Sequence, residues 1–477
     1  MISIIKRTKL IYPKEVNEYS PDFPYPEYTF NSLNTSENDV YKAVRELFIQ
    51  LGLDAERINT RDWNPLGRYI EPGNRVFLLC NFVYHKRKTE SDEDFFSKVT
   101  HPSVIRAVCD YCSIALKGKG EILIGNSPLQ SANFEKIKES LGLDRIENFY
   151  KINSLGVQVK FIDLRGYVTR LEKSGKLTVL KNEIDKVGFN IDFSKYSTLN
   201  EVKGNKKFRI TNYSYKWIKK LHSKNHHIYC INKEVLNSDV IFSIPKLKVH
   251  EKVGVTLGVK GYVGAVASKE SLCHHQFGPP CIGGDEYPEN NPFKIMYSFL
   301  HDFAYSYKIP VITTFFQILD RNFTRIFNRI GTKITAGAWS GNDTAWRMSV
   351  DLAKIMHFVD KTGKVNDHNV RKNLVMIDGI IGGEGQGPLK PKPVITNTLI
   401  FSDNIVDGDF AGSIVMGYEP EKIKIIDSFY TDKSNLKLVN SRPNQFIFNY
   451  QDLCRNELHS KINFTYLSPI GWIKYFK

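Results

Sequence analysis

Short apolar runs alternate with stretches of helical periodicity from residue 76 onward. The run Val76–Val83 is typical of a buried strand. Three later runs repeat that pattern, at 121–125, 156–163 and 239–244. Thr100–Ser103, between the first and second runs, begins a predicted helix with Pro102 in its first turn, and another helix is predicted near 133–141, after the second run. This alternation predicts an α/β fold, with mostly parallel sheets and helices on both faces.

The same patterns continue to the end of the chain. Later helices are predicted near 348–359 and 410–416, and later strands at 373–378, 394–402 and 422–426. Two Rossmann-like lobes are one possible arrangement of these elements. We divide the chain into an N-terminal extension (1–70), a first α/β segment (71–200), a basic insertion (201–235) and a second α/β segment completing the same core (236–477).

Composition excludes several classes of protein. Of the 477 residues, 42% are hydrophobic and 25% charged, which is enough to bury a core. No apolar run approaches the roughly 18 residues that a membrane helix needs, and the N-terminus does not have the pattern of a secretory signal. The seven cysteines are scattered, and none has the spacing of a zinc or iron–sulfur site. A reducing, cytoplasmic setting fits best, and no iron–sulfur cluster is expected.

The formal net charge of +15 is concentrated in one stretch. Eight lysines and arginines lie between Lys203 and Lys224 with no Asp or Glu among them, and aromatic residues interleave with them. Such a surface suits nucleic acid, anionic lipid headgroups or a phosphorylated substrate, or it is merely well solvated. Nucleic acid is the least favoured partner, because no nucleic-acid module signature accompanies the stretch.

The densest group of chemical candidates follows the predicted strand 239–244. Lys248, His250, Thr256 and Lys260 lie there among several glycines, and parallel strands present their carboxyl ends to a shared crevice. Lysines and glycines at that place suit a phosphate or carboxylate ligand. No P-loop and no dinucleotide fingerprint is present, so proton or group transfer is favoured over hydride transfer.

Two adjacent histidines, His274 and His275, form the second group of candidates. Either is a candidate acid or base, and a divalent-metal set of His250, His274 and Asp378 is left open. The alternative is that both are ordinary loop histidines. The sequence does not identify a cofactor.

A third group surrounds the start of the helix predicted near 348–359. Asn342 and Asp343 are good helix-capping residues, and Arg347 is suited to clamp an oxyanion. Capping together with core aromatics is the simpler explanation of the same segment.

The fourth group is the glycine-rich segment Ile377–Pro388, predicted as a loop after a strand. Asp378 and Glu384 are candidates for a general base, a metal ligand or a hydrogen-bond acceptor for a ribose or sugar hydroxyl, with Gly385 beside the bound molecule. So many glycines in one segment indicate that its backbone approaches a bound molecule closely.

Taken together, these motifs resemble the domain-of-unknown-function family numbered 362. The resemblance covers most of residues 70–430 and adds Asn81 to the substrate-binding candidates. It is carried by several segments in order: Thr100-His-Pro102, Ile124-Gly-Asn-Ser127, Pro245-Lys-Leu-Lys-Val-His250, Gly341-Asn-Asp-Thr-Ala-Trp-Arg347, Glu384-Gly-Gln-Gly-Pro388 and Met416-Gly417. It implies an α/β fold and supplies no reaction. Many members carry a ferredoxin-like cluster domain whose cysteines are missing here, so an electron-transfer role is the weakest interpretation.

The leading hypothesis is an enzyme that binds an anionic small molecule, phosphorylated or carboxylated, with a sugar-linked compound as one option. Lys248, Lys260 and Arg347 would hold the anion, and His250 or His275 would work as acid or base against Asp378 or Glu384. The alternative is a non-enzymatic scaffold of a surface-polysaccharide biosynthetic complex, docked through its basic stretch on an anionic membrane or a partner. Oligomeric state is left open.

Overall fold

The computed structural model describes residues 1–14, 17–153, 155–171, 177–210, 215–306, 334, 336–473 and 475–476. The helices are α1 (Asp39–Gln50), α2 (Asp92–Phe96), α3 (Pro102–Leu116), α4 (Phe134–Leu141), α5 (Leu143–Ile152), α6 (Ile184–Val187), α7 (Tyr215–Leu221), α8 (Lys233–Leu236), α9 (Leu257–Gly261), α10 (Pro292–Ser306), α11 (Ala345–Phe358), α12 (Ile405–Val415), α13 (Lys424–Tyr430) and α14 (Arg455–Lys461). The strands are β1 (Ile2–Lys6), β2 (Arg75–Cys80), β3 (Glu121–Asn126), β4 (Gln158–Asp163), β5 (Tyr167–Leu171), β6 (Leu177–Asn182), β7 (Gly188–Asp192), β8 (Phe208–Arg209), β9 (His222–Ser223), β10 (His226–Asn232), β11 (Val240–Ile244), β12 (Lys246–His250), β13 (Gly254–Val255), β14 (His275–Gln276), β15 (Lys372–Gln386), β16 (Lys390–Ser402), β17 (Gln445–Phe448) and β18 (Gln451–Cys454).

One large sheet organises the molecule. It has 11 strands, and its main path runs β18-β17-β1-β16-β15-β11-β2-β3-β4, with β12 added through its pairing with β15 and β13. Every neighbouring pair from β15 through β11, β2 and β3 to β4 is parallel, whereas β16 pairs antiparallel with both β1 and β15. Both predicted α/β segments contribute strands to this sheet, so the α/β fold is confirmed.

Helices cover both faces of the sheet, as the apolar runs require. Along β2, Val76 and Leu78 pack towards α1, α3, α4 and α5, whereas Phe77 and Leu79 belong to the core under α9, α11 and α12. A strand buried on both faces reads as a continuous apolar run, because its side chains alternate between two cores. This explains why β2, β3 and β11 are recognisable in the sequence.

Residues 1–70, predicted as an extension, are built into the core. Strand β1 pairs with β16 and β17 inside the large sheet, and α1 packs against α3. Ile2, Ile4 and Ile5 are buried, and Trp63 is fully buried with its indole N–H donating to Leu53 O at 2.9 Å. The short Ile-Ser-Ile-Ile run was the only apolar signal for this strand, and its partners lie about 400 residues away.

Three predicted segments have a different structure. The stretch 246–250, predicted to open onto a crevice, is strand β12, and the glycine-rich segment 377–388 continues β15 as far as Gln386. The predicted strand 422–426 lies where α13 begins, because Ile425, Ile426 and Phe429 are buried at helical spacing. In the basic insertion, residues 211–214 lie outside the part of the chain that the structure describes.

Among the helices that the structure describes, none is both long enough and apolar enough to cross a membrane.

Candidate anion-binding site

Strand β12 brings lysines and a histidine into the interior at one edge of the parallel strands. All five of its residues are buried, and Leu247 and Val249 fill the core beneath α9, α11 and α12. Because side chains alternate along a strand, Lys246, Lys248 and His250 lie on the other face. The strand follows directly from β11, so these groups lie beyond the carboxyl ends of β11 and β2.

The first lysine of β12 is neutralised by a carboxylate. Lys246 Nζ lies 2.7 Å from Asp378 Oδ2 and donates to Tyr12 Oη at 2.7 Å, and Tyr12 Oη donates to Asp378 Oδ1 at 2.6 Å. The His101 backbone N–H donates to Asp378 Oδ2 at 3.0 Å, and its ring stacks on Tyr12 with centroids 3.8 Å apart. The charges of Lys246 and Asp378 neutralise each other within this cluster, so we assign them to stabilising the fold rather than to binding a ligand.

The second lysine of β12 has no carboxylate partner within the described ranges. Lys248 Nζ donates to the backbone oxygen of Lys98 at 2.8 Å. Burial lowers the pKa of Lys248 well below its usual value, and the positive charges of Lys246, Lys98 and Lys260 lower it further. Gly383 permits this arrangement, because a Cβ there would come 2.6 Å from Ser97 O. Lys98 itself is paired with Glu90, so the uncompensated charge belongs to Lys248.

The third lysine, Lys260, lies on the short helix α9 and has no partner at all among the residues that the structure describes. Its side chain is 5% exposed, and no hydrogen bond or ion pair reaches its Nζ. Burial, and secondarily the charge of Lys252, lowers the pKa of Lys260 to about 7. A buried ammonium without a partner is unfavourable unless it loses its proton or gains an anion.

Helix α9 is itself held in place by a carboxylate. Asp409 of α12 accepts hydrogen bonds from the backbone N–H groups of Gly258 at 2.6 Å and Val259 at 2.8 Å. Burial raises the pKa of Asp409 to about 8 although these N–H groups favour its charged form. The first turn of α9 is therefore occupied by a protein group, and the anion-binding capacity at this place comes from side chains.

Two histidines share the surroundings of Lys260. Burial lowers the pKa of His250 and of His274 well below the usual range, and the charges of Lys260 and Lys252 lower both further. The Lys252 backbone N–H donates to His250 Nδ1 at 3.1 Å, so the proton of the neutral ring lies on Nε2. His274 Nδ1 is buried without a hydrogen-bond partner among the described residues. We call Lys248, His250, Lys260 and His274 the cationic site.

Arg347, predicted as an anion clamp, is engaged by protein groups. Its guanidinium bonds Asp343 Oδ2 at 3.2 Å, Thr198 O at 3.1 Å and Glu201 Oε2 at 3.1 Å, and it stacks over Trp346 at 4.4 Å. These contacts use its donors in a structural role. Arg347 is held by Asp343, Thr198 and Glu201, and Asp378 by Lys246, so neither makes a contact with His250 within the described part of the chain.

Asn342 connects the cationic site to α11. Its Nδ2 donates to His274 O at 2.8 Å, and its Oδ1 accepts from the backbone N–H groups of Thr344 and Ala345. Asn342 thus caps the helix and fixes the chain that carries His274. Neighbouring His275 lies on β14, where Nε2 is 4.0 Å from Glu286 Oε1 and burial lowers the pKa of His275 well below its usual value.

The other predicted substrate-binding residues make contacts within the protein. Asn81 Oδ1 accepts from Lys246 N at 2.9 Å, and the Thr256 backbone N–H donates to Lys248 O at 2.9 Å. Glu384 Oε2 accepts from Leu467 N at 2.8 Å, and Gly385 N donates to Leu467 O at 2.7 Å. Asn81 and Thr256 therefore support β12, whereas the 384–385 pair anchors the C-terminal segment on β15.

The proposed metal set of His250, His274 and Asp378 is not assembled. Asp378 is held by Lys246, and within the described ranges no three His, Cys, Asp or Glu side chains lie close enough to hold a metal ion. Cationic lysines around His250 also disfavour a divalent cation there.

Sequence reasoning missed several members of these clusters. Tyr12 lies in the segment taken as an extension, and His101 was noted only as part of a helix start. Lys252 was not considered, although its charge lowers the pKa of Lys260, His250 and His274. Lys269 was also missed; burial, and then the charge of Lys260, lowers the pKa of Lys269 to about 7. A lysine in an otherwise apolar run is the only sequence signal that marks such positions.

Comparison with known proteins places this site inside a family. A family model described as "Domain of unknown function (DUF362)" matches residues 163–413, which include the whole cationic site. The family predicted from the motifs is thereby confirmed, although the motifs at Asn81, 100–102, 124–127 and 416–417 lie outside the matched range. No curated protein and no solved structure matches the chain.

Proposed function

The chain belongs to the DUF362 family, and from that premise we propose that it is an enzyme that binds an anionic small molecule in the cationic site. The ligand is a phosphorylated or carboxylated compound whose oxyanion lies between the ammonium groups of Lys248 and Lys260. The family supplies no reaction, so the proposal rests on the chemistry of the side chains.

The proposal rests on the positive charges of Lys248 and Lys260, which no carboxylate among the described residues neutralises. Three lysines lie close together in the interior, and in the part of the chain that the structure describes only Lys246 has a carboxylate partner. Leaving Lys248 and Lys260 unpaired costs stability, because a buried ammonium with no opposite charge is strongly disfavoured. An incoming oxyanion supplies the missing charge, and Coulomb attraction is strengthened where water is excluded.

The same groups provide acid–base chemistry. With its pKa near 7, Lys260 exchanges a proton close to neutral pH, which suits a general acid or base. His250 presents Nε2–H while its Nδ1 is occupied, so it is a neutral hydrogen-bond donor to a developing oxyanion. Asp378 and Glu384, predicted as the opposing carboxylates, are engaged in protein contacts, so the proposed proton carrier is Lys260.

The proposal is tested by calorimetric titration of the purified full chain with inorganic phosphate, pyrophosphate and a dicarboxylate such as malate. We expect at least one of these anions to bind the wild type. Lys248→Met and Lys260→Met should each weaken that binding by at least about tenfold, the loss expected for one charge-assisted contact in a buried site.

Lys354→Met is the matched control. Lys354 of α11 is also a buried lysine, but it pairs with Asp432 at 2.7 Å. Its replacement should leave anion binding unchanged. Failure of all three anions to bind, or equal loss in the control and in the two site variants, would contradict the proposal.

A further inference from the structure

Helix α10 presents apolar side chains to solvent, which is the reverse of an ordinary surface helix. Phe293, Met296 and Phe299 are 65%, 45% and 60% exposed, whereas the polar Lys294 and Ser298 of the same helix are buried. A helix at a protein surface normally turns its apolar side inwards. Clustered exposed aromatic side chains mark a surface that binds another molecule or a membrane.

A neighbouring helix adds an exposed tryptophan to this surface. Helix α7 contacts α10, and Trp217 of α7 is 44% exposed with Lys220 Nζ 4.7 Å from its ring centroid. Tryptophan with a lysine beside it combines an apolar body with a charged group, as membrane interfaces require.

The chain before α7 brings positive charge against the same surface. Lys207 Nζ lies 5.9 Å from the centroid of Phe277, and Phe277 contacts Phe299 with ring centroids 4.7 Å apart. Asn205 bonds the backbone oxygens of Ile282 and Gly283, and Ile282 is another exposed apolar residue. We call this surface the apolar–basic face; its members are Ile282, Phe293, Met296, Phe299, Trp217, Lys203, Lys207, Lys219 and Lys220.

We propose that the apolar–basic face binds an anionic lipid surface. Exposed lysines on it lie within the stretch 203–224, which contains no acidic residue. Amphipathic surfaces with large apolar side chains and flanking lysines insert shallowly among lipid headgroups, and negative lipids attract the lysines. Nucleic acid would leave the aliphatic and phenyl groups of α10 without a function, whereas an anionic lipid surface uses both the apolar groups and the lysines. This proposal is independent of the cationic site.

The test is co-sedimentation of the full chain with vesicles of phosphatidylcholine, with and without phosphatidylglycerol. We expect binding only when phosphatidylglycerol is present, and weaker binding as salt is raised. Lys207→Glu/Lys219→Glu/Lys220→Glu should lower the affinity at least about 100-fold, since each lysine near an anionic surface contributes severalfold. Phe293→Ser/Phe299→Ser should abolish most of the remaining apolar contribution.

Matched controls change the same chemistry elsewhere. Lys117, Lys119 and Lys372 are exposed before or at the N-terminal ends of β3 and β15, and Ile152 is 82% exposed at the end of α5. Lys117→Glu/Lys119→Glu/Lys372→Glu and Ile152→Ser should bind vesicles nearly as the wild type does. Circular dichroism and the urea midpoint of each variant confirm that it folds.

Three results would overturn the proposal. These are no binding to phosphatidylglycerol vesicles, equal loss in the site and control variants, and a dimer that Phe293→Ser/Phe299→Ser dissolves while vesicle binding is unchanged. The last result would assign the face to a second copy of the chain. If the variants altered in the apolar–basic face still bind anions, the face and the cationic site work separately.

Discussion

Replacing Lys260 by methionine should make the protein more stable while removing its proposed function. Methionine has nearly the length of the lysine side chain but needs no partner in the interior. The ammonium of Lys260 has none among the described residues, so the substitution removes an unfavourable charge without orphaning another group.

The size of the effect follows from the pKa. Lys260 has a pKa of about 7 in the folded protein against the usual 10.5, a difference of about 3.5. At about 1.36 kcal/mol per pKa unit this corresponds to an upper limit of roughly 5 kcal/mol. Structural relaxation and water penetration reduce that figure, so we expect a gain of about 1–4 kcal/mol at pH 6, as found when buried charges are replaced by apolar groups.

The effect has a definite pH dependence. Below pH 7 Lys260 is protonated in both states, so the full cost of burying its charge is present. Between pH 7 and 10.5 the unfolded chain binds more protons than the folded one, and wild-type stability therefore rises with pH. Urea unfolding of wild type and Lys260→Met at several pH values measures both curves. The advantage of the variant should shrink steadily across that window.

A matched comparison guards against a trivial explanation. Lys246 is equally buried, but it neutralises Asp378, so the same change there should act in the opposite direction. A Lys260→Met variant that is less stable than wild type at every pH, with an unchanged pH slope, would refute the reasoning. It would mean that Lys260 has a stabilising partner in the folded protein.

Three further predictions follow from the same contacts. Lys246→Met should destabilise the protein by about 3–5 kcal/mol in urea unfolding, because it leaves the carboxylate of Asp378 buried without its charge partner. Asp409→Asn should reduce the fall in stability between pH 4 and 8. The pKa of Asp409 rises from 3.8 to about 8 on folding, so its stabilising contribution is complete below pH 4 and is lost as pH rises through 8. Binding of pyrophosphate at pH 8 should take up protons, because an anion beside Lys260 raises its pKa; calorimetry in two buffers of different ionisation enthalpy measures this, and Lys260→Met should lose it.

The parallel core could be predicted from the sequence because its signals are local. Strands β2, β3 and β11 are continuous apolar runs, and α3 has a proline in its first turn. Strand β1 escaped prediction because its pairing with β16 depends on residues nearly 400 positions away. The start of α13 escaped because Lys-Ile-Ile-Asp has few residues from which to distinguish a period of two from one of 3.6.

The candidate site was predictable in type but not in geometry. Lys248, His250 and Lys260 were identified by residue chemistry, and they do share buried surroundings. The setting of Lys248 and His250 on a strand rather than a loop was missed, because glycines and lysines disfavour strands in isolation and only packing overrides that preference. Lys260 lies on the short helix α9, which was also not predicted. The sequence also could not show which of the lysines has a counter-ion. Lys246 finds Asp378 through pairing of β12 with β15, and no spacing in the chain records that contact.

The central claim is that Lys248 and Lys260 bind an anion, and a structure of crystals grown with tungstate tests it most directly. Tungstate is a doubly charged oxyanion with the tetrahedral shape of phosphate, and its metal atom is readily located by anomalous scattering. The account predicts one tungstate with oxygens in hydrogen-bonding distance of Lys248 Nζ and Lys260 Nζ, and none there in Lys260→Met. A protein carboxylate bound to Lys260, with tungstate absent from this place, would contradict it.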